Sequence, residues 1–297
     1  MLQKKLWGGF LGLSIAASLT GCWGTDQPPP GTSSELKATK VASLPIEDPL
    51  SSTWDTATEA TVVLLPQSIT YPILGKGSVS ELKARALSDD KFVALRLSWA
   101  DKTHDETLEV DKFTDAVAIE LPLGDPQKTN PMMGSTENPV YILHWKAVWQ
   151  RDVDKGRADV QDLHPGYYSD PYPFVTGRFP YDVQEAFQTD NARRYFPGLA
   201  AGNPVSKLYR RWPVEELHAE GFGSLADHSW QDARGKGVWK DGRWSVVLAI
   251  PREVPDRANP HLLSGQNTLV AFAVWDGGSQ NVGGRKHWAP FLKLVLP

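Results

Sequence analysis

The stretch Val238-Trp239-Lys240-Asp241-Gly242-Arg243-Trp244-Ser245-Val246-Val247-Leu248-Ala249-Ile250 decides the fold class. Two runs rich in aromatic and β-branched residues flank Asp241-Gly242. That dipeptide is a hairpin turn signal with a mechanism, because glycine takes positive φ without steric cost. The run after the turn is strand length and too rich in β-branched residues to read as a helix. Similar runs recur along the chain: Thr61 to Leu65, Leu82 to Ala86, Phe92 to Trp99, Ala116 to Leu121, Val140 to Trp145, Thr268 to Trp275 and Phe291 to Val295. Most are bounded by Gly, Pro, Asp or Asn, as strands are. About eight strands are expected, with Asp89-Asp90 as a further turn. Helical periodicity is weak; Val183 to Phe196 and Val214 to Ala219 are the best short candidates.

The composition agrees. Of 297 residues, 41% are hydrophobic and 22% charged, which excludes a disordered chain. Twelve Trp, 25 Gly and 23 Pro indicate a turn-rich β protein. The formal charge of −4 leaves no basic face for nucleic acid. A single cysteine excludes an intrachain disulfide, a Cys-based zinc site and covalent haem attachment through C-x-x-C-H.

That cysteine is Cys22. Lys4 and Lys5 precede an apolar run from Leu6 to Leu19, and Leu19-Thr20-Gly21-Cys22 resembles a bacterial lipobox. The expected organisation is a signal peptide over 1–21, cleaved before an acylated Cys22, and a Pro- and Ser-rich tether over 22–44. An exported, membrane-anchored lipoprotein facing the periplasm follows. Trp23, where an inner-membrane retention signal commonly has Asp, keeps outer-membrane sorting open. Residues 45–297 form the globular domain, with a polar, aromatic insertion over about 152–236. The fold class expected is mainly β: an antiparallel β-sandwich, carbohydrate-binding-module-like, with a long irregular, partly helical insertion.

Enzyme signatures are missing: there is no G-x-S-x-G, P-loop, H-E-x-x-H or G-x-G-x-x-G after a strand. The seven histidines show no ligand spacing, and Glu215-Glu216 reads as a solvated pair. The informative loop is Asn130-Pro131-Met132-Met133-Gly134-Ser135, leading into Asn138-Pro139-Val140. Core methionines usually fill gaps inside periodic elements. A methionine on a Pro/Gly loop is either lid packing or a thioether offered to a metal.

Six pieces in order carry a family resemblance: Asp115 to Pro122; the Met-Gly loop; Pro139-Val140 to Trp145-Lys146-Ala147; Ala219 to Leu225; Gly237 to Val246; and Phe272 to Gly277 through Gly283-Gly284-Arg285-Lys286. Together the chain resembles the haem-binding gamma subunits of type II dimethyl-sulfoxide-reductase-class molybdoenzymes, the group of ethylbenzene dehydrogenase and the selenate and chlorate reductases. The resemblance implies one non-covalent haem b in a β-sandwich, held axially by Met133 and Lys286. Met132 and His287 are the alternates. It also implies a non-catalytic electron-transfer subunit, partnered by an iron–sulfur beta subunit, a molybdenum-containing alpha subunit and a c-type cytochrome or other carrier. A ligating lysine must be neutral, so its pKa must fall far below about 10.4. A six-coordinate haem has no open position and moves electrons only. The competing expectation is a carbohydrate- or ligand-binding sandwich lipoprotein without haem.

Overall fold

A computed structural model describes residues 28–69, 71–158, 160–166, 197–201, 210–254, 259–260 and 262–297. Cys22, the signal segment and Val183 to Phe196 lie outside the described residues. Two layers of strands enclose the core. The first contains β3 (Leu65–Pro66), β6 (Ala116–Pro122), β7 (Val140–Lys146), β8 (Val214–Ala219), β9 (Ala226–Asp227), β12 (Asn267–Trp275) and β13 (His287–Val295). The second contains β2 (Ala60–Val63), β4 (Glu81–Ser88), β5 (Phe92–Ala100), β10 (Arg234–Lys240) and β11 (Arg243–Pro251). β1 (Glu35–Lys40) belongs to both. Its first half runs parallel to β13, Glu35 opposite Lys293, and its second half parallel to β4, Ala38 opposite Ala86. The pairing order β10-β11-β5-β4-β1-β13-β12-β6-β7-β8-β9 is therefore one ribbon folded over at β1, a corner of the kind a sheet-switching strand makes. Apart from the β1 pairs, every pairing in the two layers is antiparallel.

Period-two alternation fills the space between the layers. Val117, Ile119 and Leu121, Tyr141, Leu143 and Trp145, and Phe272 and Val274 face Leu95, Leu97, Trp99, Val246 and Leu248 across it. Trp145 meets Trp244 edge to face at 4.8 Å, joining the layers near one end. The opposite face of the second layer is covered by residues 41–57, with Trp54 over Leu87, Ala94, Val247 and Ala249. The opposite face of the first layer is left for the site.

Three expectations change. Residues 35–40, read as tether, pair with two strands, and Leu36 is fully buried; only the alternation in Glu35-Leu36-Lys37-Ala38 announces this. Val214 to Ala219, read as helical, is β8 and pairs with β7 in register Ile142 to Leu217. The expected insertion over 152–236 therefore contains sheet. Its neighbour Glu216 is not solvated: it is 2% exposed and its carboxylate accepts from the Tyr141 hydroxyl at 2.7 Å and from the Ala233 N–H. Asp241-Gly242 does turn the β10–β11 hairpin, both residues at positive φ. Among the described residues, no helix is long and apolar enough to cross a membrane.

Candidate functional site

The outward face of the first layer carries a cavity of about 700 Å³, within the range of small-molecule and cofactor sites. Alternation determines its floor. The inward residues of β6 and β12 are large, so the outward ones are Ala116 and Ala118 on β6 and Ala271 and Ala273 on β12, and all four line the cavity. Four alanines on adjacent strands make a flat apolar platform. Glu120, Ile142, His144 and Lys146 continue the floor, and walls come from loops bearing Phe113, Met132, Met133, Phe222, Leu225 and Lys286.

The loop between β6 and β7 presents the methionines. Asn130 Oδ1 accepts from the Met132 N–H at 2.9 Å, and the Asn130 carbonyl accepts from Gly134 N–H at 3.0 Å, which starts the turn. Met133 and Gly134 both have positive φ, 73° and 66°. For methionine that backbone costs about 1–2 kcal/mol. It is held there from both sides: the Gly221 N–H donates to its carbonyl at 2.7 Å, and its own N–H lies against the Glu120 carboxylate. The Met133 side chain packs on the Ala118, Val140, Ile142 and Leu217 patch. Both methionines line the cavity, so lining alone does not rank them.

The loop between β12 and β13 presents Lys286. Trp275 Nε1 donates to the Gly283 carbonyl at 2.9 Å, Gln67 Nε2 to the Gly284 carbonyl at 2.8 Å, and the Gln67 N–H to the Lys286 carbonyl at 2.9 Å. The Lys286 ammonium is 5.2 Å from the Trp275 ring centre. Burial pushes its pKa down, and the neighbouring Glu120 opposes this. Burial pushes the Glu120 carboxyl up. Both groups are thus driven toward neutrality. Glu120 Oε1 has no hydrogen-bond partner among the described residues.

His287 points elsewhere. Alternation places Lys286 and Trp288 against the cavity and His287 between them in the interior, fully buried. Its Nε2 accepts from the Ser78 N–H at 2.8 Å and the Val79 N–H at 3.2 Å, and its Nδ1 lies 3.3 Å from the Val274 carbonyl oxygen. Two backbone donors on Nε2 fix the neutral tautomer. Both ring nitrogens are therefore occupied.

His144 is the residue that spacing rules overlooked. It lines the cavity floor between Trp149 and Trp275, at ring separations of 5.8 and 4.9 Å. Its Nε2 has no partner among the described residues, and burial holds its pKa well below the usual histidine range. The signal was available as parity: His144 shares its strand face with Ile142 and Lys146.

The donor set fits a haem. A thioether and a lysine amine, both lining one cavity, suit low-spin iron, and the alanine platform suits a flat macrocycle. Among the described residues, Glu120 Oε1 and His144 Nε2 are floor atoms left without a hydrogen-bond partner.

Among known proteins, the chain is 25% identical over 291 residues to the chlorate reductase subunit gamma of Ideonella dechloratans, covering 96% of this chain and 94% of that one. It is 22% identical over 241 residues to a putative respiratory nitrate reductase heme subunit of Haloferax mediterranei, covering 81% of this chain and 64% of that protein. A family 9 carbohydrate-binding module from Caldicellulosiruptor kristjanssonii, solved with glucose, covers 88% of this chain and 95% of its own at 9% identity and a TM-score of 0.39, too low to carry an inference. The ethylbenzene dehydrogenase family profile matches residues 51–287, most of the length and all the strands of the cavity floor, and the chain belongs to that family.

Proposed function

We propose that the protein is a haem-carrying electron-transfer subunit of an oxidoreductase complex, with one non-covalent b-type haem in the cavity between Met133 and Lys286. The observation that carries the reading is convergence: the loop between β6 and β7 and the loop between β12 and β13 bring a thioether and an amine to the lining of one cavity. When bound, the haem supplies reversible one-electron chemistry at its iron. Met133 offers a soft donor that favours the reduced metal. Burial lowers the pKa of Lys286, which eases loss of the proton that would block its lone pair. The loop between β8 and β9 adds the apolar side chains of Phe222 and Leu225 to the lining, and the alanines form the floor.

The names of the two relatives, a gamma subunit and a heme subunit of reductases, support membership in a multi-subunit complex. Within it we infer an iron–sulfur subunit and a molybdenum-containing catalytic subunit on one side and a c-type cytochrome or other electron carrier on the other. The lipobox at Cys22 supports attachment to a membrane by acylation, facing the periplasm.

The test is a visible spectrum of the purified protein and of single variants. The reduced protein is expected to give sharp low-spin α and β bands, and acid-acetone to extract all the colour. Met133→Ala is expected to lose haem or lower its potential, and Met132→Ala to be mild. Lys286→Ala is expected to give a high-spin or water-ligated spectrum, and His287→Ala to keep the low-spin bands. A colourless protein overturns the haem reading, and wild-type spectra from both Met133→Ala and Lys286→Ala overturn the axial assignment.

A further inference from the structure

A second constellation lies at one end of the sandwich, outside the cavity. Asp101 directly follows β5 in the second layer; Asp115 directly precedes β6, and Asp276 directly follows β12, in the first. One carboxylate oxygen from each lies within 4.8 Å of the others. Oxygens around a Ca²⁺ ion, at about 2.3–2.6 Å from it, span at most about twice that distance. No Lys or Arg forms an ion pair with any of the three among the described residues.

The hydrogen bonds show which oxygens are committed. Asp115, fully buried, accepts from the Gly277 N–H on Oδ1 at 2.8 Å, and from the Asp105 N–H and Trp244 Nε1 on Oδ2 at 2.9 Å each. Donors on both oxygens favour the ionised form, whose two oxygens accept without a competing proton. Asp276 accepts from the Ser279 N–H and hydroxyl at 3.0 and 2.9 Å. Asp101 is the informative member. It is 5% exposed, its Oδ1 accepts from the Thr103 N–H at 3.1 Å, and its Oδ2 is buried with no hydrogen bond of normal geometry among the described residues, although the Trp99 indole lies against the carboxylate. Three carboxylates gathered at this depth are costly when ionised unless a cation completes them. Burial and the neighbouring carboxylates push both Asp101 and Asp115 up, and the donors on each carboxylate oppose the rise.

More oxygens gather beside them. Asp105 Oδ2 is buried too, with no hydrogen-bond partner among the described residues. Thr103 Oγ1, Asp105 Oδ2 and Asp276 Oδ1 would lie 2.6, 3.1 and 3.4 Å from a Cβ placed on Gly278, so only glycine lets the backbone pass this cluster. All donors are oxygen, with no nitrogen or sulfur ligand in the group. An irregular, carboxylate-rich set of this kind suits Ca²⁺, whereas Mg²⁺ demands a near-ideal octahedron and Zn²⁺ prefers His and Cys.

We propose that Asp101, Asp115 and Asp276, with Asp105 and Thr103 beside them, bind one Ca²⁺ ion that ties the end of the second layer to the first. Asp276 opens the loop that ends at Lys286, so the ion also braces that wall of the cavity. The proposal does not rest on the haem reading. It is tested by equilibrium dialysis of the full-length protein against ⁴⁵Ca²⁺, which does not depend on haem. One ion per chain is expected, not displaced by an equal concentration of Mg²⁺, with affinity weakened at least roughly tenfold in Asp101→Asn. If Asp101→Asn does not fold, Asp276→Asn, at the half-buried side of the cluster, carries the same expectation. Thermal melting of the wild-type protein is expected to rise in Ca²⁺ and fall in chelator. No bound Ca²⁺, free exchange with Mg²⁺, or uptake unchanged in the folded variant would overturn the site.

Discussion

Glu216 shows how much a single buried carboxylate decides. Its side chain ties β8 to β7 through the Tyr141 hydroxyl and to the start of β10 through the Ala233 N–H. Burial raises its pKa above the usual glutamate value, while those donors and His228 oppose the rise. A carboxyl whose folded pKa is raised binds more protons folded than unfolded, so its contribution to stability declines as pH rises from the unfolded value through the folded one. Glu216→Gln removes the titration and loses one good acceptor. The variant is therefore expected to be less stable than wild type at pH 4 and to close part of that gap by pH 8, read from urea midpoints at both values. A gap that widens with pH would contradict the burial argument. The same scale separates what was legible in the site from what was not. Met132 and Met133 stood out because loop position and rarity are local features, whereas Lys286 entered through the family resemblance alone. Glu120, His144 and Glu216 did not stand out, because their roles come from the layer each strand face meets, and that is a property of the partner strands.

At the level of elements, the two layers close most tightly where β10 crosses β7. A Cβ on Gly237 would lie 2.2 Å from Trp145 Cζ2, and the Gly237 N–H donates to Gln150 Oε1 at 2.7 Å. Gln150 Oε1 also accepts from Trp145 Nε1 at 3.3 Å. The ring is fully buried and the neighbouring Trp244 blocks its retreat. Gly237→Ala is expected to cost about 1–3 kcal/mol, as overpacking does, with Gly235→Ala similar because its Cβ would meet the Val247 carbonyl at 2.8 Å. A denaturant midpoint unchanged in Gly237→Ala would show that the layers can part without penalty. Central strands were readable in the sequence because their inward faces are Val, Ile, Leu and Trp. β8 was not, since Val-Glu-Glu-Leu-His-Ala puts acidic residues on both faces: Glu216 toward Tyr141 and Glu215 toward the cavity. A strand whose polar residues are satisfied by tertiary partners loses its alternating hydrophobicity, and the i, i+3 spacing of Val214 and Leu217 is left to read as helical.

For the whole molecule, β1 is the joint. It contributes six residues, yet among the described strands it alone links the two layers by backbone pairing. Without it β13 and β4 become open edges, an arrangement prone to pairing with other chains. Leu36 would leave the common core, and Ala38 with it. Just before β1, the Ser33 N–H donates to the Thr61 carbonyl at 2.8 Å, and Thr32 Oγ1 accepts from the Val63 N–H at 3.2 Å, so the ordered segment precedes the strand itself. A chain beginning at residue 45, where composition alone places the domain boundary, should therefore be markedly weakened, whereas one beginning at residue 28 should match the full chain. Burial of a leucine contributes about 1.5–3 kcal/mol, and the lost ladder adds to it. A loss near 3 kcal/mol corresponds to a melting point lower by about 6–12 °C for a domain of this size. On the proposed haem reading, haem retention should fall in parallel, since the loop bearing Lys286 leads into β13 and Trp288 of β13 lies on the cavity face. Calorimetry of the two shortened chains decides it. If the chain beginning at residue 45 melts with that beginning at residue 28, the layers hold through side-chain packing alone and the backbone joint at β1 is dispensable.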